Sequence, residues 1–232
     1  MRIAPSTTTT GPHPRTLLLL AIGLDLLLIA GRALLYPPLW SQPGALAYLL
    51  APVALLLVYA AIVIWATADS DAGRGRTLAE GGVVGVITGA LWIANLALET
   101  FADLSALGLL ATAPFLLGGF ALWGVAGFRA AGRARSVSAG LRAALWAAMT
   151  CVLATIAFGV LLTYTSLPHL ARQLVGDPDF LRSHWHDLHA FAIANTFDNA
   201  ASHLLGGLLI GTIVGATGGS LGLLIRREAS VT

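Results

Sequence analysis

The sequence predicts an all-α fold: a polytopic transmembrane helical bundle of about six helices, N and C termini cytoplasmic, with a His-rich interfacial segment before the last helix. Three observations predict it. The composition is 57% apolar and only 10% charged, with a mean hydropathy of +0.82, which lies outside the range of soluble domains. Six apolar runs of spanning length follow one another, at about 16–36, 45–67, 81–100, 104–128, 143–166 and 203–225. The third is the distribution of the 13 basic residues, all of them arginine. Arg2, Arg15, Arg74, Arg76, Arg129, Arg133, Arg135, Arg142, Arg226 and Arg227 fall at one end of such a bundle, and Arg32, Arg172 and Arg182 at the other. Positive charge is retained on the cytoplasmic side, so this bias sets the orientation.

Residues 1–15 form a polar cytoplasmic tail, with Thr7 to Thr10 followed by Pro12 and Pro14. The first apolar run contains Asp25 and lacks a small-residue cleavage site, so it reads as a retained helix and not as a signal peptide. Residues 16–228 are expected to form a single transmembrane domain, with 167–202 an extracytoplasmic loop carrying an interfacial helix. Pro37, Pro38 and Pro43 separate the first two runs; Gly73 and Gly75, with adjacent charges, separate the next two. Tyr36, Trp40, Tyr48 and Tyr164 are expected at the outer interface, and Trp65, Trp123 and Trp146 at the inner one.

One helix over 184–225 would span about 60 Å, roughly twice the hydrocarbon thickness. The segment is therefore expected to divide near Asp198, Asn199 and Ser202, whose short polar side chains suit a helix N-terminus. Beyond that point Gly207, Gly211, Gly215, Gly218 and Gly222 recur at three- and four-residue intervals. Such a ridge lacks Cβ atoms and lets a neighbouring helix approach closely, so these glycines are read as helix-packing residues. Gly81, Gly82, Gly85 and Gly89 suggest the same for the third run.

The polar residues inside the apolar runs are the candidates for chemistry. Asp25 falls near the bilayer midplane, where a carboxylate costs on the order of 2.5–3.5 kcal/mol on insertion scales. It reads either as a proton or cation site, or as a structural carboxyl hydrogen-bonded to Thr88, Asn95 or another helix. With Asn95, Glu99, Asp198 and His203 it makes up a candidate polar cavity. Arg32 is expected to bridge to Glu99 at the outer rim.

Five of the six histidines fall between 169 and 203. Imidazole is a common ligand of borderline metals, so His184, His186, Asp187 and His189 form a candidate metal site, though their spacing matches no standard motif. A haem held axially by His203 and His169 is a second cofactor candidate. Cys151 is the lone cysteine, which excludes an intrachain disulfide and a CxxC site. Neither a phosphate-binding loop nor a nucleophile elbow occurs, and a net charge of +2 spread over short loops points to no nucleic acid.

The sequence leads first to an integral membrane protein without an evident catalytic centre: an interaction or assembly subunit of the bacterial inner (plasma) membrane. Its partners would be the lipid bilayer and, through the glycine-rich helices, another membrane protein or a second copy. A small solute or proton transporter using Asp25 is the alternative, and an extracytoplasmic metal- or haem-binding protein the third reading.

Overall fold

The computed structural model describes residues 14–68, 72–102 and 109–228, and these are helical throughout apart from short links. Six long helices carry the apolar runs: α1 (Pro14–Leu35), α2 (Ala45–Ala66), α3 (Ala72–Phe101), α4 (Leu109–Ala134), α5 (Val137–Thr165) and α8 (Leu188–Glu228). All six are long and apolar enough to cross a membrane. A 3-10 turn, Pro37–Ser41, links α1 to α2, and two short helices, α6 (Leu167–Gln173) and α7 (Pro178–Ser183), lie between α5 and α8.

Each long helix shows lipid one face and the bundle another. On α1, Leu17, Leu20, Leu24 and Leu27 are exposed at three- and four-residue spacing, while Leu18, Ile22, Asp25, Ile29 and Arg32 turn inward. A soluble protein does not expose such a leucine stripe; in hydrocarbon it carries no penalty.

The centre of the bundle is α5, whose buried residues run from Ala139 to Thr163 and are largely alanine, threonine and small aliphatics. Small residues let three neighbours close on it at once. A Cβ placed on Gly81 would lie 2.5 Å from the Ala143 carbonyl oxygen, and one on Gly85 2.6 Å from that of Ala147, so α3 touches α5 backbone to backbone. On α8, Cβ atoms at Gly207, Gly211 and Gly215 would come within 2.8–2.9 Å of Val152, Ala148 and Ala144 of α5. Gly218 and Gly222 turn instead to α4, each with its would-be Cβ 2.5 Å from a carbonyl oxygen, of Gly124 and Phe128 respectively. The glycine ridge of the last helix is thus occupied within the chain, its first three glycines by α5 and the last two by α4.

Both ends are tied. At the arginine-rich end, Glu80 of α3 receives both terminal nitrogens of Arg133 from α4. At the other end, the link between α7 and α8 locks onto the α1–α2 link: Trp185 Nε1 donates to the Pro43 carbonyl (2.9 Å), and the His186 amide to Gln42 Oε1 (3.2 Å). The Tyr36 hydroxyl donates to Asp187 Oδ2 (2.9 Å).

Two expectations are corrected. The last helix does not divide near Asp198: α8 is continuous over 41 residues. The thickness limit applies to a helix bathed in lipid, whereas the first part of α8 is covered by protein, with Ala190–Ala194, Phe197, Ala200 and Leu204 buried. Its N-terminus is set by Asp187, whose Oδ1 accepts the amides of His189 (2.8 Å) and Ala190 (3.1 Å). Trp123 and Trp146 are also not interfacial; both are buried in the bundle, and Trp123 Nε1 donates to Thr88 Oγ1 (3.1 Å). Trp65, by contrast, is exposed.

Candidate functional site

Toward the end that carries α6 and α7, the bundle opens into a cavity of about 430 Å³ between α3, α5, α6 and α8. Its walls bring together six polar side chains: Asn95 and Glu99 from α3, Gln173 from α6, and Asn195, Asn199 and His203 from α8. The three α8 residues fall on one stripe because they are spaced four apart, one per turn.

The hydrogen bonds inside this cavity define what it presents. Asn95 Nδ2 donates to Glu99 Oε1 (2.9 Å), and no described residue donates to the second carboxylate oxygen. His203 Nδ1 lies 2.7 Å from the Asn199 carbonyl oxygen. Only a protonated nitrogen can satisfy that carbonyl, so in the neutral ring Nε2 carries the lone pair. The Trp92 ring packs edge-on to His203 at 6.1 Å between centroids and leads down to Phe120 and Trp123, an aromatic floor. At the rim, the Thr100 carbonyl, one of the orphan carbonyls at the end of α3, accepts from His169 Nε2 (2.6 Å) and Gln173 Nε2 (2.9 Å). This pins α6 over the end of α3.

The cavity gathers Asn95, Glu99 and His203 from the predicted polar set, and leaves out Asp25 and Asp198. Asp198 does not line the cavity, because one residue before Asn199 it is turned by about 100° from the cavity stripe. Asp25 lies in a separate, apolar groove between α1, α3 and α5, and neither of its buried oxygens has a hydrogen-bond partner. Its expected structural partners are engaged elsewhere, Thr88 with Trp123 and Asn95 with Glu99. Nor does Arg32 bridge to Glu99: its guanidinium sits between the rings of Tyr36 (5.5 Å) and Tyr164 (5.3 Å). Gln173, Asn195 and Asn199 were not in the predicted cavity set. The four-residue repeat Asn195, Asn199, His203 was the signal for Asn199; nothing in sequence marks Gln173.

The candidate metal residues are not brought together. Among the described residues no group of three or more His, Cys, Asp or Glu side chains could hold a metal ion. Asp187 is committed to the start of α8 and to Tyr36, and its Oδ1 is 4.0 Å from His189 Nδ1, while His184 and His186 are exposed. For haem, His203 lines the cavity, but both ring nitrogens of His169 are engaged, Nε2 by Thr100 and Nδ1 by Arg172 (3.4 Å).

Compared with family models, with curated proteins and with solved structures, the chain finds no match. Its class therefore rests on the helices themselves: six apolar spans make it a multi-pass membrane protein.

Proposed function

We propose that the protein binds a small polar solute in the cavity between α3, α5, α6 and α8, as the recognition step of a solute carrier. The observation that carries this reading is the convergence of Asn95, Glu99, Gln173, Asn195, Asn199 and His203 on one space of about 430 Å³. Apolar spans do not place six polar side chains together without a polar occupant, water or solute, to satisfy them. The free carboxylate oxygen of Glu99 and Nε2 of His203 are acceptors, so the solute supplies N–H or O–H donors. Below the aromatic floor, α3 and α8 each close on α5 through glycine contacts, which supports a site that loads from one end and not an open pore.

In this reading the arginine-rich end, with both termini, lies in the cytoplasm of a bacterial inner membrane, and the cavity opens outward. The competing reading is an assembly subunit packed through its glycine-rich helices; the packing of that ridge on α4 and α5 of the same chain favours the solute-binding reading over it.

The test is a thermal-stability screen of the purified protein against amino acids, polyamines and polyols. At least one class should raise the melting temperature, and Asn199→Leu, which fills the cavity from a side chain already partly exposed, should abolish the shift. Proteoliposome uptake of the responding solute then reports transport. If no solute in these classes shifts the melting temperature, the reading fails.

A further inference from the structure

The second cavity is of a different kind. It is a groove of about 610 Å³ between α1, α3 and α5, running along α1 from Pro14 to Asp25. Eleven residues of helix cover about 16 Å, so the groove reaches from the arginine-rich end to the middle of the span. Leu17, Leu24, Val83, Val86 and Ile87 at its mouth are half or more exposed, so it opens sideways onto lipid and not into water.

Its walls are aliphatic apart from Trp146 and two oxygen-bearing side chains, Thr150 and Asp25. Thr150 is satisfied internally, its hydroxyl donating to the Trp146 carbonyl (2.8 Å). Asp25 is not: it is 1% exposed, and both carboxyl oxygens are buried without a partner. No arginine or histidine forms an ion pair with it among the described residues. A buried, unpartnered carboxyl in an apolar wall is expensive unless something supplies the missing hydrogen bonds.

We propose that this groove is a binding site for lipophilic amines that enter from the bilayer. The apolar walls, with the Trp146 indole among them, take an alkyl or aryl body, and the nitrogen supplies the donor that Asp25 lacks. The proton count is the same whether a neutral amine meets a carboxylic acid or an ammonium meets a carboxylate. Either way the amine nitrogen and the Asp25 carboxyl share one proton across a hydrogen bond that an alcohol cannot match in strength. The site is independent of the polar cavity: it shares no lining residue with it and faces lipid, not the end of the bundle.

The experiment compares two probes of one chain length, dodecylamine and dodecanol, titrated into the full-length protein in nanodiscs, with empty nanodiscs subtracted. Wild type should bind the amine at least tenfold more tightly than the alcohol. Asp25→Asn should reduce that preference to less than twofold, and Asp25→Glu should keep most of it. Val83→Trp, at the exposed mouth, should weaken both probes together. Glu99→Gln, in the other cavity, should leave the preference unchanged. Equal binding of amine and alcohol by the wild type would overturn the proposal without any variant needing to fold. So would a preference that survives Asp25→Asn, or one that disappears in Glu99→Gln, which would assign amine binding to the polar cavity instead.

Discussion

Tyr36 and Asp187, 151 positions apart, meet through a single 2.9 Å hydrogen bond from phenol to carboxylate, and this bond joins the end of α1 to the start of α8. Burial, the hydrogen bond and the nearby negative charge together push the Tyr36 phenol up from its usual 10.0 to about 12. The folded protein thus holds the phenolic proton more tightly than the unfolded chain does. Stability from this group is complete below about pH 10 and is lost as pH rises toward about 12. Melting temperature measured from pH 8 upward should fall through that window in the wild type, and the part of the fall due to this group should be missing in Tyr36→Phe.

Asp187 also holds the first turn of α8 through Oδ1, so one residue both caps and ties. Asp187→Ala should cost about 1–3 kcal/mol, combining the loss of an N-cap with the loss of a charged hydrogen bond. Asp187→Asn, which can still cap, should cost less. Amide exchange at His189 and Ala190 measures the capping part separately: it should rise in Asp187→Ala and change little in Asp187→Asn.

Adding a single methyl group at a glycine tests the packing of the bundle. Gly85→Ala and Gly218→Ala would each place a Cβ about 2.5 Å from atoms of a neighbouring helix, the Thr150 Cβ and the Gly124 carbonyl oxygen. Each should destabilise by about 1–3 kcal/mol or more, as overpacking does. Gly23→Ala meets nothing within 4 Å and should be neutral or slightly stabilising, since alanine favours the helix. Thermal melts in detergent would show the contrast, and equal behaviour of all three variants would contradict the packing described.

The Thr100 carbonyl accepts two side-chain donors, from His169 and Gln173. Removing one leaves the other, so His169→Leu or Gln173→Leu alone should cost about 0.5–1.5 kcal/mol. The double variant should cost more than their sum, because the end of α3 then lacks both. A double-mutant cycle measures the coupling, and strict additivity would count against a shared acceptor.

At the arginine-rich end, Glu80 pairs with Arg133 and also with Arg76 (3.3 Å), and the Glu80–Arg133 pair is more than one-third exposed on both sides. Glu80→Gln should therefore change stability by less than about 1 kcal/mol, and by less still in high salt. A larger, salt-insensitive loss that Arg133→Gln reproduces would mean that the Glu80–Arg133 pair carries more of the α3–α4 contact than its exposure allows.

Much of the architecture was legible in the residues alone. Lipid excludes unpaired backbone, so six long apolar runs can only be six helices, and the leucine stripe of α1 and the glycine ridges on α3 and α8 follow from helical periodicity. The 184–228 segment was harder to read. Its length, set against bilayer thickness, argued for a break, but protein packed around Ala190–Leu204 supplies the cover that lipid cannot. The tryptophans misled for a related reason: an indole at a predicted interface looks the same in sequence as one buried beside Thr88.

The sequence by itself determined which segments are apolar, which faces carry glycine, and that Asp25 sits at mid-span, because hydrophobicity and helical period are local properties. Only the tertiary structure decided who meets whom. It sent Asn95, Glu99 and His203 to one cavity and Asp25 to another, and spent Asp187 on Tyr36 and a helix cap. Rotation about a helix axis and the choice of neighbours are fixed by packing between segments far apart in the chain, and no single segment encodes them.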